Sequence, residues 1–418
     1  MSKAKKILII FAVLVALFAV SIIYFEMDPE NTNIDFSPAN GKNETDKTIR
    51  FDENGKLKIL HIADTHLNYD KHFDASVWVI AEACDVEKPD LVVLTGDNTH
   101  PNEDPEKTKE LINALMNIFE SRKIPVAVTF GNHDSETGAM SREELMAYYN
   151  TFECSVSVDD GDSLSGCGTY NLPVYASNGD SVKFNVWVFD SGDYDSDGNY
   201  GCVQADQIEW YKNEAKALKE ANGGETVHSL AFQHIIVPEI YDVLEKTDKK
   251  GLFTFEHKYT DGEYYRFDPE QENHGILTET PCCGYLNFGQ FDAMVETGDV
   301  LAVFSGHEHK NAFSVKNQGI DIVNSLSTRY NGDAYSTGYG YRMLEIDESD
   351  TSVYSTRVVR WNEFFGIKDA FGYKADGDDF GFRTALDIAV KGIWQRFIDA
   401  VYHNFASLVT GRQIKYPY

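Results

Sequence analysis

Five short blocks of the chain carry residues that bind metal ions. They are Asp64-Thr65-His66, Gly96-Asp97-Asn98, Gly131-Asn132-His133-Asp134, a single His234, and Gly306-His307-Glu308-His309. Any one of them is a common turn sequence, because Gly, Asp and Asn serve tight turns wherever a strand ends. Their order and settings single them out. Leu57–Ala63, Asp90–Thr95 and Pro125–Phe130 precede the first three, Val227–Phe232 the fourth and Val300–Ser305 the fifth, and each is an apolar, β-rich run. The polar residues therefore sit on loops leaving strands, and in an open α/β sheet ligand sites gather at the strand carboxyl ends. Carboxylates suit hard cations, whereas imidazoles favour Mn, Fe, Zn or Co over Ca. A mixed Asp, His and Asn set thus fits a pair of divalent transition-metal ions without naming the metal.

Together the five blocks resemble the calcineurin-like metallophosphoesterases, which include the purple acid phosphatases, over roughly Leu57 to Trp361. The resemblance implies an α/β fold built as a four-layer αββα sandwich. It implies that Asp64, His66, Asp97 and His309 hold one metal, and that Asp97, Asn132, His234 and His307 hold the second, with Asp97 bridging. His133 would reach the substrate phosphate or leaving oxygen, and Asp134 would orient it. In such a centre two cations roughly 3.5–4 Å apart clamp the attacking and leaving oxygens, and a metal-bound hydroxide is the nucleophile. Hydrolysis of phosphomonoesters is the reaction implied, with a phosphodiesterase acting on nucleotides or lipid head groups as the alternative. A reading of another class is a low-turnover metal- or phosphate-binding protein. Against it, no ligand position is missing and His133 is present.

Two positions depart from the purple branch, which has glycine where His66 stands and a tyrosine ligand where His100 stands. Without that tyrosine no tyrosinate–iron colour is expected; His100 becomes a candidate substrate contact instead. Asp190-Ser191-Gly192, and Ala231-Phe232-Gln233-His234 followed by Pro238-Glu239, resemble a branch close to fungal and plant purple-phosphatase-like proteins.

The chain has 418 residues, 67 acidic against 37 basic, and a net charge of −30. Non-specific nucleic-acid binding needs a basic surface and is excluded as a function class. The acidic surface repels a small phosphorylated substrate at long range, which leaves its capture to local metal charge. At the N-terminus, Lys3, Lys5 and Lys6 precede an uncharged apolar run from Ile7 to Phe25. A helix of that length nearly spans a ~30 Å hydrocarbon core. It exceeds the apolar region of about 7–15 residues usual in a signal peptide, and Ala19-Val20-Ser21 is a poor cleavage site. Residues 1–26 therefore read as a transmembrane anchor, with the lysines cytoplasmic and the catalytic domain outside; secretion after cleavage is the alternative. Residues 27–52 read as a polar tether, 53–365 as the catalytic domain, and 366–418 as a tail. Within the tail, Arg383–Val409 has apolar residues at three- and four-residue steps, a helix that docks on the domain or lies on the membrane.

Helices about Asp74–Glu87 and Pro105–Arg122 alternate with the first three strands, the pattern of βαβ units. Gly168–Ala176 and Ser181–Asp190 form a hairpin across Asn178-Gly179. A helix about Gln204–Ala221 follows, and Val315–Val323 and Tyr341–Val359 supply late strands. Between them, Glu245 to Gln290 has no clear period and many aromatics; it reads as a long loop over the metal site, with His257 and Lys258 as candidate phosphate contacts. Asp193, Asp195 and Asp197 with Gly198 match the start of a calcium loop, although Gln204 stands where its last carboxylate belongs; a solvated acidic turn is the plainer reading. Cys154 and Cys167 flank a polar loop and could pair, Cys84 reads as a buried free thiol, and His61 as a core or surface histidine.

Overall fold

The computed structural model describes residues 47–70, 73–158, 163–251, 253–268, 273–330 and 338–361. The expected anchor and the amphipathic tail helix lie outside these residues. Among the described residues no helix is long and apolar enough to cross a membrane.

Alternating strands with two apolar faces build the fold. Strands β1 (Lys56–Ile62), β2 (Leu91–Thr95) and β3 (Val126–Thr129) run parallel and are completed by the antiparallel hairpin β14 (Gly340–Asp347) and β15 (Asp350–Arg360), in the order β15-β14-β1-β2-β3. Side chains alternate across a strand. Leu60, Ile62, Val92, Leu94, Val126 and Val128 therefore face one way, onto α1 (Phe73–Glu87), α2 (Pro105–Glu120) and α3 (Arg142–Tyr149). Leu57, Ile59, Leu91, Val93 and Ala127 face the other way and meet Phe184, Val186, Leu230, Phe232, Ala302 and Phe304 of the second sheet.

That second sheet has seven strands. β5 (Val182–Val188), β6 (Ser229–Phe232), β11 (Val300–Ser305) and β13 (Ile320–Asn324) are parallel at its centre. β4 (Tyr170–Tyr175), β12 (Ala312–Asn317) and β10 (Asn273–Ile276) pair antiparallel outside them. Its outer face, with Trp187, Ala231, Val303 and Ile322, packs on α4 (Ala205–Ala221) and α5 (Gln290–Thr297) through Ile208, Tyr211, Phe291 and Met294. Three apolar layers thus separate helices, sheet, sheet and helices, which is the αββα sandwich. His61 lies in the middle layer, edge-on to Phe232 and Phe304 and bonded to Thr95 Oγ1 and Ser325 Oγ at 2.8 and 3.0 Å. Burial pushes its pKa down to about 3, so it stays neutral.

Several expectations are corrected. Val315–Val323 is two strands, because Gln318 and Gly319 turn at positive φ. Tyr341–Val359 is likewise the β14–β15 hairpin. The segment Glu245–Gln290 is not a bare loop. It contains β7 (Leu244–Thr247), β8 (Phe255–His257) and β9 (Thr260–Phe267), a three-stranded sheet of their own, as well as β10. Cys154 and Cys167 are not bridged; all six cysteines are free thiols, and Cys84 is buried as its helix implies.

The middle layer carries the packing of both sheets. Phe304 is fully buried there, stacked on Phe232 with ring centroids 5.2 Å apart. Phe304→Ala should cost about 3–5 kcal/mol of unfolding free energy, whereas Val353→Ala on exposed β15 should stay within about 0.5 kcal/mol. Chemical denaturation checks both, and similar small losses at the two positions would contradict the layer assignment.

Candidate metal centre

The loops after β1, β2, β3, β6 and β11 converge at the carboxyl ends of both sheets. Their backbones are joined directly: Asp64 N–H donates to Gly96 O at 3.2 Å, His66 N–H to Asp97 O at 2.8 Å, and Gly306 N–H to His234 O at 3.1 Å. Close approach explains two of the motif glycines. A Cβ on Gly131 would lie 2.2 Å from Asp97 Oδ1, and one on Gly306 would lie 2.4 Å from Asp64 Oδ2. Both spaces are filled by candidate ligands.

Two groups of ligand atoms result. Asp64, His66, Asp97 and His309 form one, and Asp97, His234 and His307 the other, with the atoms of each within 4.8 Å of one another. Asp97 belongs to both. Its Oδ1 accepts from His133 N–H at 2.8 Å, while its Oδ2 lies 3.4 Å from His66 Nε2 and 3.4 Å from His234 Nε2. His66 Nε2 and His309 Nε2 face each other at 3.0 Å. Asn132 Oδ1 lies 3.2 Å from His234 Nε2 and joins the second group. His307 Nε2 is buried without a hydrogen-bond partner among the described residues. A buried nitrogen left in this state costs about 1–3 kcal/mol, and a cation would satisfy it. The donor set of carboxylates, imidazoles and one amide fits divalent transition metals.

The backbone is strained to achieve this. Asp64, His66, Asp97 and His307 have φ of 53°, 39°, 50° and 70°, the left-handed region that side chains other than glycine avoid. Such strain persists only where the surroundings enforce it. Asp134 is one enforcer. Its carboxylate accepts from Asp97 N–H, Asn98 N–H and Gly131 N–H at 2.7, 2.9 and 2.7 Å. Among the described residues it makes no bond to the His133 ring; the carboxylate on that ring is Glu136, whose Oε2 is 2.6 Å from His133 Nδ1.

Other residues unmarked in the sequence support the site. The Tyr194 hydroxyl takes Asn132 Nδ2–H at 2.6 Å, which turns Asn132 Oδ1 toward the cluster. Arg142 pairs with buried Asp190 and donates to Gly131 O at 2.8 Å. Glu308, between two ligands, is buried and accepts from Cys282 N–H at 2.7 Å; burial pushes its pKa up to about 8. His100 is exposed at the rim with its N–H on Leu67 O, outside the ligand groups. The acidic loop folds on itself: Asp195 accepts from the Asp197 and Asn199 backbone N–H groups and from Asn199 Nδ2–H. Asp193, Asp195 and Asp197 make no ligand group among the described residues. A cleft lined by Arg50, Asp52, Lys88 and Lys123 opens at the opposite ends of the strands, away from this chemistry.

A model of the calcineurin-like phosphoesterases matches residues 57–311. The chain belongs to this family. It is a metal-dependent phosphoesterase. Among its relatives is the probable inactive purple acid phosphatase 14 of Arabidopsis thaliana, 29% identical over 361 residues, which are 77% of this chain and 82% of that protein. Phosphatase DCR2 of Saccharomyces cerevisiae is 26% identical over 359 residues, 77% of this chain and 56% of that one. A dimetal phosphatase of Danio rerio aligns in structure with a TM-score of 0.46 and 12% identity, over 72% of this chain and 98% of that one.

Burial pushes the pKa of His66 down to about 4 and of His307 to about 3, so both imidazoles are neutral and able to ligate at pH 7. His234 differs. Burial opposes its charge, but the Asp97 and Asp64 carboxylates outweigh burial and raise it to about 9. A metal takes the neutral ring, so below about pH 9 binding must displace that proton. Titrating weakly buffered protein with Mn or Zn near pH 7 should show two ions bound and more acid released than from His234→Asn. Apparent affinity should weaken as pH falls. Asp97→Asn should lose most of the metal, since a neutral amide bridges two cations poorly. A single ion bound to wild type, or no difference in acid release, would contradict this reading.

Proposed function

We propose that the chain hydrolyses phosphomonoesters at a two-cation centre bridged by Asp97. The observation that carries the proposal is Asp97 Oδ2 lying 3.4 Å from an imidazole nitrogen of each ligand group. Divalent cations there, of Mn, Fe, Zn or Co, would neutralise the phosphoryl oxygens and supply the nucleophile. Asp64, His66 and His309 would hold one of them, and Asn132, His234 and His307 the other.

The protein's own contribution beyond the ligands centres on His133. Its ring is 5.5 Å from that of His66 and about one-third exposed, so it borders the cluster and faces outward. Glu136 takes Nδ1–H, which leaves Nε2 as the nitrogen that meets the substrate. From there it can steady the phosphoryl oxygens or give a proton to the leaving alcohol. Asp134 and Arg142 keep the loop bearing Asn132 and His133 in place.

The names of two kinds of relative bear on turnover. The yeast protein is called a phosphatase, which supports hydrolysis of monoesters. The plant proteins are called probable inactive, which favours a low-turnover reading as the alternative. Metal-loaded protein given mono- and diesters side by side separates these: no turnover of either class would leave a binding protein.

His133→Ala should cut turnover of alkyl phosphates by about 10²–10⁴ with both metals still bound. If proton donation is the role, the loss should shrink on aryl phosphates, whose leaving groups need no proton. Near-normal turnover of alkyl phosphates by the metal-replete variant would contradict either role.

The proposal extends to location. Lys3, Lys5 and Lys6 before the apolar run Ile7–Phe25 support an N-terminal anchor with the catalytic domain outside the cytoplasm. Protease added to intact cells should then degrade the catalytic domain. Protection of that domain until lysis would reverse the orientation.

A further inference from the structure

We propose that Lys258, held over Tyr200, forms a subsite for a second anionic group on the alcohol portion of the substrate. The proposal rests on the phosphoesterase reading and deepens it. Sequence marks His257 and Lys258 alike, but the structure separates them. His257 ends β8 and packs on Tyr241 and Tyr265 with ring centroids 4.1 and 5.7 Å away. Lys258 stands in the turn between β8 and β9, and its Nζ lies 4.7 Å from the centre of the Tyr200 ring. The same ring meets the His307 imidazole edge-on, with centroids 4.4 Å apart. One tyrosine ring therefore touches both a lysine ammonium and a candidate metal ligand.

That placement is fixed from several sides. The Tyr259 hydroxyl accepts from Tyr200 N–H at 3.2 Å and donates to Cys283 O at 3.0 Å, which staples the hairpin to the wall of the site. Lys258 N–H donates to the Tyr241 hydroxyl at 3.3 Å. Tyr194 stacks beside Tyr200 with centroids 5.6 Å apart, and its hydroxyl already serves Asn132.

The position of the charge is what calls for a ligand. In a chain of net charge −30, exposed lysines such as Lys107, Lys183 and Lys219 also stand outside the ion pairs, but Lys258 is the one held over an aromatic ring that touches the candidate centre. Lys258 makes no ion pair among the described residues, and it is exposed beside the centre. An aromatic face attracts an ammonium but accepts no ordinary hydrogen bond, so its three donors stay available for an anion. In the phosphoesterase reading the transferred phosphoryl group lies on the Asp97 cluster, and the Tyr200 ring touches both Lys258 and His307 of that cluster. Lys258 therefore meets something the alcohol carries: a second phosphate or a carboxylate.

The test compares fructose 6-phosphate with fructose 1,6-bisphosphate on metal-loaded full-length protein. Wild type should favour the bisphosphate in kcat/KM. Lys258→Ala should lower that value by about tenfold or more, mainly through KM, the size of one lost charge-assisted hydrogen bond. Para-nitrophenyl phosphate and fructose 6-phosphate should change little, and Lys258→Arg should restore most of the preference. Equal losses on all substrates, or no loss on the bisphosphate, would overturn the subsite. Equilibrium binding of the bisphosphate is a second readout. Binding that weakens in Lys258→Ala without any wild-type turnover would support the subsite and sink the hydrolytic reading; binding unchanged by Lys258→Ala would overturn the subsite even if wild type is active.

Discussion

Asp64 and Asp97 are both fully buried among imidazoles, an amide and backbone N–H groups, and each has the other's carboxylate beside it. The effective cost of burying an ion is several kcal/mol, and two carboxylates side by side add repulsion. Four ligand residues with positive φ add about 1–3 kcal/mol each. A domain has only about 5–15 kcal/mol of net stability. Such an arrangement needs opposite charge in its midst. Part of it comes from His234, whose protonated form the Asp97 and Asp64 carboxylates favour. Divalent cations supply it more fully, and their binding to the folded state alone adds stability by mass action, about 2.7 kcal/mol at a hundred times Kd.

The rest of the molecule delivers five loops to that point. Parallel strands do so cheaply, because their carboxyl ends all open on one side. Three apolar layers hold the two sheets in register while the loops between strand and helix carry the polar residues. Asp134, Gly131, Gly306 and Tyr194 are then understood as parts of one constraint: backbone must pass within van der Waals contact of the ligand carboxylates and still be held in a strained form.

Sequence reading picked out residues that the structure brings together, because each follows its strand by two to four residues, so a local pattern carries it. The early strands, helices and the hairpin around Asn178-Gly179 were legible for the same reason. What escaped it depends on long-range contact. β7 and β8 are short, and with the longer β9 they form half-exposed strands that pair only with one another and show no alternation strong enough to mark them. The eight-residue helices α3 and α5 are too short to show a period. Glu136 and Tyr194 lack any motif. Glu136 is found only from the bond to His133, and Tyr194 lies in a loop whose acidic residues suggested calcium. Asp134 had the expected position but bonds backbone instead of the histidine ring.

The central claim is one carboxylate shared by two cations. Anomalous diffraction from crystals of the chain loaded with Mn or Zn tests it directly. Two peaks are predicted, one enclosed by Asp64, His66 and His309, the other by Asn132, His234 and His307, with Asp97 between them. A single peak, or two peaks not joined by Asp97, would contradict the account.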